Sequence, residues 1–158
     1  MAASSSSFWQ VGKHSVSVTY QASAAAPGTL DDVTTYNSEG STKPSSTKGV
    51  NTPSAAGAGI YEWRGTGWLR VVTSGWEVVG WGVLENDKDE GEDELVLVTL
   101  AQKTIFSPRS LSIYWRKKDG MEGDKIRAVS AALEELADAD ITLDVSKLRA
   151  TPYQWLDE

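Results

Sequence analysis

Apolar and polar residues alternate along much of this chain. In residues 14–20, Val16, Val18 and Tyr20 fall on one face and Ser15, Ser17 and Thr19 on the other, the pattern of a half-buried strand. Polar strands are expected at 32–37 and 48–52. From residue 60 the pattern tightens. Residues 60–64, 68–73, 76–83, 95–101 and 111–117 are rich in aromatic and β-branched side chains and read as successive strands. Ser74-Gly75 is short enough for a tight hairpin turn. One segment has helical period instead. Ile126, Val129, Leu133 and Leu136 form an apolar stripe over 125–137, with Asp124 placed to cap it.

Strands joined by short links without helices between them cannot form a parallel sheet, which needs crossovers. The pattern therefore predicts an all-β domain, an antiparallel up-and-down eight-stranded β-barrel with one C-terminal α-helix. A sandwich of the same strands is the rival. A closed barrel removes sheet edges and leaves room for one small ligand. Residues 1–7 are expected to be a mobile tail, and 8–158 a single domain including the helix at 124–137. The small polar runs at 38–46 and 85–94 are expected to be mobile as well.

Composition narrows the chemistry. The absence of Cys excludes disulfides and thiolate metal sites, and a single His, His14, argues against zinc and leaves a Ser-His-Asp triad only that residue. A net charge of −7 repels nucleic acid, and the one basic cluster, Arg116, Lys117 and Lys118, sits at a strand end. No apolar run reaches the roughly 20 residues of a membrane helix. The first residues have neither a basic segment nor an apolar core, so no signal peptide is read and a cytoplasmic location is expected. Asp87 and Asp89 have a calcium-like spacing, but the glycine is misplaced for an EF-hand loop, and no metal or other cofactor is expected.

The stretch GTGWLRVVTSGWEVVGWGV, residues 65–83, sets tryptophans beside glycines. Strand glycines mark bends or close approach of another group, and in a barrel they permit tight coiling. Strict alternation over 76–83 places Glu77, Val79, Trp81 and Val83 on one face and Trp76, Val78, Gly80 and Gly82 on the other. Lumen-facing Glu77 would need a partner, for which Arg70, Lys103 and Arg116 are available; outward Glu77 would be solvated.

Four runs in order carry a resemblance. They are Trp63, Arg64, Gly65, Gly67 and Leu69; Ser74, Trp76, Glu77 and Gly80; Lys103, Thr104, Phe106, Ser107 and Pro108; and Ile113, Tyr114 and Arg116. Asp31, Asp32, Tyr36 and Lys48-Gly49 match more weakly upstream. This pattern resembles a family of small lipocalin-like proteins of filamentous fungi. The resemblance implies a calycin-type barrel that binds small molecules inside the cell. The chain departs from lipocalins proper in lacking G-x-W on its first strand, having SFWQVG instead; Trp9 would then stack on Arg116 to close the barrel end.

Together these observations predict one lumen containing Trp63, Glu77, Trp81, Lys103 and Tyr114, with Tyr36 near its mouth. The expected function is binding of a small hydrophobic or planar aromatic metabolite; a homodimer is left open. An isomerase, cyclase or decarboxylase would instead use Glu77, Lys103 and Tyr114 as its acid/base set. A packed barrel acting through its surface is the third reading.

Overall fold

The computed structural model describes residues 1, 3–24, 26–84, 94–105, 107–116, 121–135 and 145–150. Its strands are β1 (Ala3–Ser4), β2 (Lys13–Ala22), β3 (Leu30–Ser38), β4 (Ser45–Pro53), β5 (Ile60–Gly65), β6 (Thr73–Leu84), β7 (Glu94–Ala101), β8 (Ser110–Trp115) and β9 (Arg149–Ala150). A short helix, α1 (Ser7–Gln10), precedes β2, and α2 (Gly123–Glu135) follows β8. All strands join one antiparallel sheet in the order β2-β3-β4-β5-β6-β7-β8-β1-β9. Consecutive strands from β2 to β8 are neighbours, the up-and-down order expected. The sheet curls into a barrel-like shape with α2 on its outside. The Met1 nitrogen donates to the Val16 carbonyl of β2 at 2.7 Å, linking the β1 end of the sheet to its first strand.

Residues 1–7, read from sequence as a tail, include β1. Ala3 and Ser4 are fully buried and Ser6 is nearly so. Small side chains permit this: Ser4 Oγ lies 3.0 Å from Ser112 Oγ, and Ser5 Oγ accepts the Leu111 amide at 2.8 Å. Low local hydrophobicity concealed a segment that supplies hydrogen bonds to β8. Residues 68–73 are not a strand either. Gly67–Val71 form a 3-10 helix, closed by Leu69 N–H to the Thr66 carbonyl and Val72 N–H to the Leu69 carbonyl. Arg64 pairs with Thr73, so the β5–β6 hairpin closes around this turn and leaves Trp68 82% exposed.

The two faces of β7 and β8 divide the interior. Val96, Val98 and Leu100 with Leu111 and Ile113 form the apolar core, which also contains Ala3, Met121, Leu133 and Val145. Ile126 and Val129 of α2 pack against it, so the predicted stripe is the helix's docking face; Leu136 lies outside the described residues. The helix starts at Gly123, earlier than expected, and Asp124 lies in its first turn, accepting from the Lys125 amide at 2.9 Å. Lys125 Nζ meets buried Glu94 of β7 at 2.8 Å and lies 5.3 Å from the Trp115 ring, which pins the helix start to the sheet. Full burial of a side chain such as Leu111 or Ile113 contributes about 1.5–3 kcal/mol. The opposite face carries Thr99, Ala101, Ser110, Ser112 and Tyr114, and it faces a cavity.

Two glycines are required by close approach: Gly65, where a Cβ would meet the Leu69 backbone, and Gly49. Gly49 is buried in β4, and a Cβ there would collide with the indole nitrogen of Trp63. Gly80 and Gly82, strand glycines read as marking bends, close approach or barrel coiling, have open space around them. We therefore expect Gly49→Ala to destabilise the fold by about 1–3 kcal/mol, as overpacking does. Gly80→Ala should stay within about 0.5 kcal/mol, as an uncrowded substitution does. Urea unfolding of the two variants checks this; equal effects would show that Trp63 moves freely.

Candidate binding cavity

Strand alternation places Val18 and Tyr20 of β2, Asp32, Thr34 and Tyr36 of β3, Thr47 of β4, Trp63 of β5 and Ser74 and Trp76 of β6 on one concave face. With the polar face of β7 and β8 they enclose a cavity of about 580 Å³. Its rim includes Phe8 and Trp9 of α1, Trp68 and Leu69 of the 3-10 turn, and Thr104 and Ser107 between β7 and β8. Phe8, Trp9 and Tyr36 pack edge to face, with centroids 4.6 Å apart for Phe8–Trp9 and 5.5 Å for Trp9–Tyr36. Lys13 Nζ sits 3.9 Å from the Phe8 centroid.

The other end is built around Asp32. This carboxylate is only 7% exposed. Asn51 Nδ2 donates to it at 2.9 Å, and the Trp63 indole and the Gly49 amide hydrogen-bond to it as well. Asn51, itself fully buried, accepts from Trp76 Nε1 at 2.6 Å. The Trp76 ring is stacked between two tyrosines, with centroids 4.7 Å from Tyr61 and 5.9 Å from Tyr20. Burial raises the Asp32 carboxyl above the usual aspartate range, an effect that the hydrogen bonds oppose and nearby Asp31 reinforces. Burial likewise pushes the phenols of Tyr20 and Tyr114 up, and Asp32 adds to both shifts. Tyr114 also contributes to the Tyr20 shift, so the two phenols lie near one another.

Three expected site residues, Tyr36, Trp63 and Tyr114, line this cavity, and so does Trp9. Glu77, Trp81 and Lys103 do not. Glu77 alternates with inward Trp76 and so faces away from the cavity, and a β-bulge sets Trp81 on the other face. Val78 pairs with Thr99 but Gly80 with Val98, so Val79 is an extra residue and the alternation inverts there. Glu77 pairs with Leu100 of the apolar face, whereas Trp81 pairs with Leu97 on the opposite one. Trp81 lies beyond the cavity and is 74% exposed. Lys103 is exposed in the β7–β8 link. Glu77, Lys103 and Tyr114 thus do not form one acid/base set. Trp9 meets Phe8 and Tyr36 rather than Arg116, which is exposed at the end of β8. His14 Nδ1 lies 3.1 Å from Ser15 Oγ, away from the cavity lining. The 85–93 segment, with its calcium-like spacing, lies outside the described residues.

Sequence reasoning passed over Asp32, Asn51, Tyr20 and Trp76 as site residues. The local pattern carried little signal: residues 32–37 are polar on both faces, and Asp32 shares its inward face with Thr34 and Tyr36. No family model and no curated protein matches the chain. Among the described residues, no helix is long and apolar enough to cross a membrane.

The raised Asp32 carboxyl has a consequence for stability. The folded state holds this proton to higher pH than the unfolded chain does. Its contribution to stability is therefore present below the ordinary aspartate value of about 4 and declines as pH climbs from there through the folded-state value. Urea unfolding at a series of acid pH values should show this downward component in the wild type and lose it in Asp32→Asn. Parallel pH profiles for the two proteins would mean that Asp32 titrates normally.

Proposed function

We propose that the protein binds a small, largely planar, apolar molecule within the barrel. The observation that carries this reading is the cavity itself: about 580 Å³, rimmed and lined by Phe8, Trp9, Tyr20, Tyr36, Trp63, Trp68, Trp76 and Tyr114. That volume is within the range of small-molecule sites, and aromatic walls offer stacking surface to a flat ligand. Scattered hydroxyls such as Thr34, Thr47, Thr99 and Ser112 supply the few polar contacts that orient a ligand. The lipocalin-like resemblance of the sequence agrees with this reading. The cavity also counts against a barrel whose interior is fully packed.

A second reading, proton transfer to or from a bound substrate, is favoured by one feature: a carboxyl raised by burial beside aromatic walls. Asp32 would then replace the set anticipated from sequence. Chromatography of ligand recovered after long incubation separates the two, since a binder returns it unchanged.

Trp68 gives the direct test because it lines the rim while 82% exposed. Pyrenemethanol, a neutral planar probe, should receive energy from the protein's tryptophans on binding. Trp68→Ala should leave stability within about 0.5 kcal/mol of wild type. It should weaken probe binding roughly 3- to 10-fold, the worth of one aromatic contact. Absence of saturable energy transfer in the wild type would overturn the binding reading.

A further inference from the structure

We infer that the cavity selects ligands bearing a protonated amine, with Asp32 as the anchor at its inner end and the aromatic rings around it as the walls. The inference rests on the binding reading above and specifies the ligand's charge. Among the described residues, the lining contains one ionisable carboxyl, Asp32, and no Lys, Arg or His. The hydrogen-bond donors that reach Asp32 are all neutral: an amide side chain, an indole and a backbone N–H. They disperse its charge without cancelling it. A carboxylate accepts about four hydrogen bonds, so three donors leave it capacity for one more.

Charge decides which ligand this arrangement favours. A carboxylate ligand would bring a second negative charge into a site already short of solvent, where screening is weak. An ammonium would instead supply the missing counter-charge and fill the open acceptor position. Tyr20 and Trp76 stand beside Asp32 as a stacked pair, and Trp63 and Tyr114 complete the wall. Aromatic faces attract cations through their quadrupoles, and the effect grows when water is excluded. The phenols of Tyr20 and Tyr114 are pushed up and stay neutral, so they add no competing charge. Asp31, the other nearby acid, is exposed on the opposite face of β3 and reinforces the negative potential. Lys13 lies over Phe8 at the Tyr36 end. Tyr36 and Asp32 lie four positions apart, about 13 Å along β3. A ligand with its amine at Asp32 therefore extends its flat body toward the rim formed by Phe8, Trp9, Tyr36 and Trp68, and its far end meets Lys13 rather than a second acid.

A charge series on one ring system tests this. Pyrenemethylammonium, pyrenemethanol and pyrenecarboxylate are titrated against the wild-type protein at neutral pH, with tryptophan-to-pyrene energy transfer as the readout. The ammonium should bind about tenfold tighter than the alcohol, the value of one charge-assisted hydrogen bond, and the carboxylate should bind weakest. Asp32→Asn should bring the ammonium and the alcohol to equal affinity. Should that variant not fold, Thr34→Lys introduces a cation on the same face of β3, one inward position toward the rim, and should reverse the order of ammonium and carboxylate. Equal affinity of all three probes for the wild type, or an ammonium preference that survives Asp32→Asn, overturns the inference while leaving the binding reading intact. Failure of all three probes to bind sinks the binding reading, and this inference with it.

Discussion

A carboxylate surrounded by aromatic side chains is costly to bury, and the inner end of this barrel is organised around meeting that cost. Asp32 is held by donors from neighbouring strands: Asn51 and the Gly49 amide on β4, and the Trp63 indole on β5. Asn51 passes the network on to Trp76 of β6, whose ring is fixed between Tyr20 and Tyr61. Each indole thus has its N–H committed and its plane set. Gly49 provides the space, since any side chain there would displace Trp63. Removing one partner would leave a buried polar group unmet, which costs more than the bond itself contributes. The shape of the cavity floor follows from this cluster.

The remainder of the sheet is free to leave its interior partly open because the apolar core lies elsewhere. Val96, Val98, Leu100, Leu111 and Ile113 turn outward beneath α2, and the Lys125–Glu94 ion pair fastens the helix over them. The same strands present Thr99, Ser110, Ser112 and Tyr114 inward. In a barrel filled by its own side chains, the lumen would be the core. Here hydrophobic stabilisation is drawn from the outer face, so an unfilled lumen and a stable fold are compatible. The buried N-terminal serines serve the same division: they satisfy β8 at its edge without bulk.

Local pattern settled most of the architecture. Period-two alternation in 14–20, 95–101 and 111–117, and the apolar stripe from Ile126 to Leu133, each depend on neighbours within a few residues, and the sheet and helix follow from them. Short links forced the antiparallel order. Tyr36, Trp63 and Tyr114 were legible as cavity residues because they are large and sit in strands.

The positions that the sequence misassigned depend on partners far along the chain. The extra residue at Val79 is visible only through the pairing of β6 with β7, and it alone separates Glu77 from Trp81. Residues 68–73 alternate well enough for a strand, but the length of the β5–β6 ladder makes the first part of them a turn. Ala3 and Ser4 carry no apolar signal and are buried because β8 offers them an edge. Asp32 reads as one polar residue among several until Asn51, Gly49 and Trp63 converge on it. By itself the sequence determined the strands β2 to β8, the helix and the antiparallel plan, since these arise from local periodicity. Only the tertiary structure decided which face each side chain serves and where the buried charge lies, because both are set by register and by contacts between residues distant in the chain.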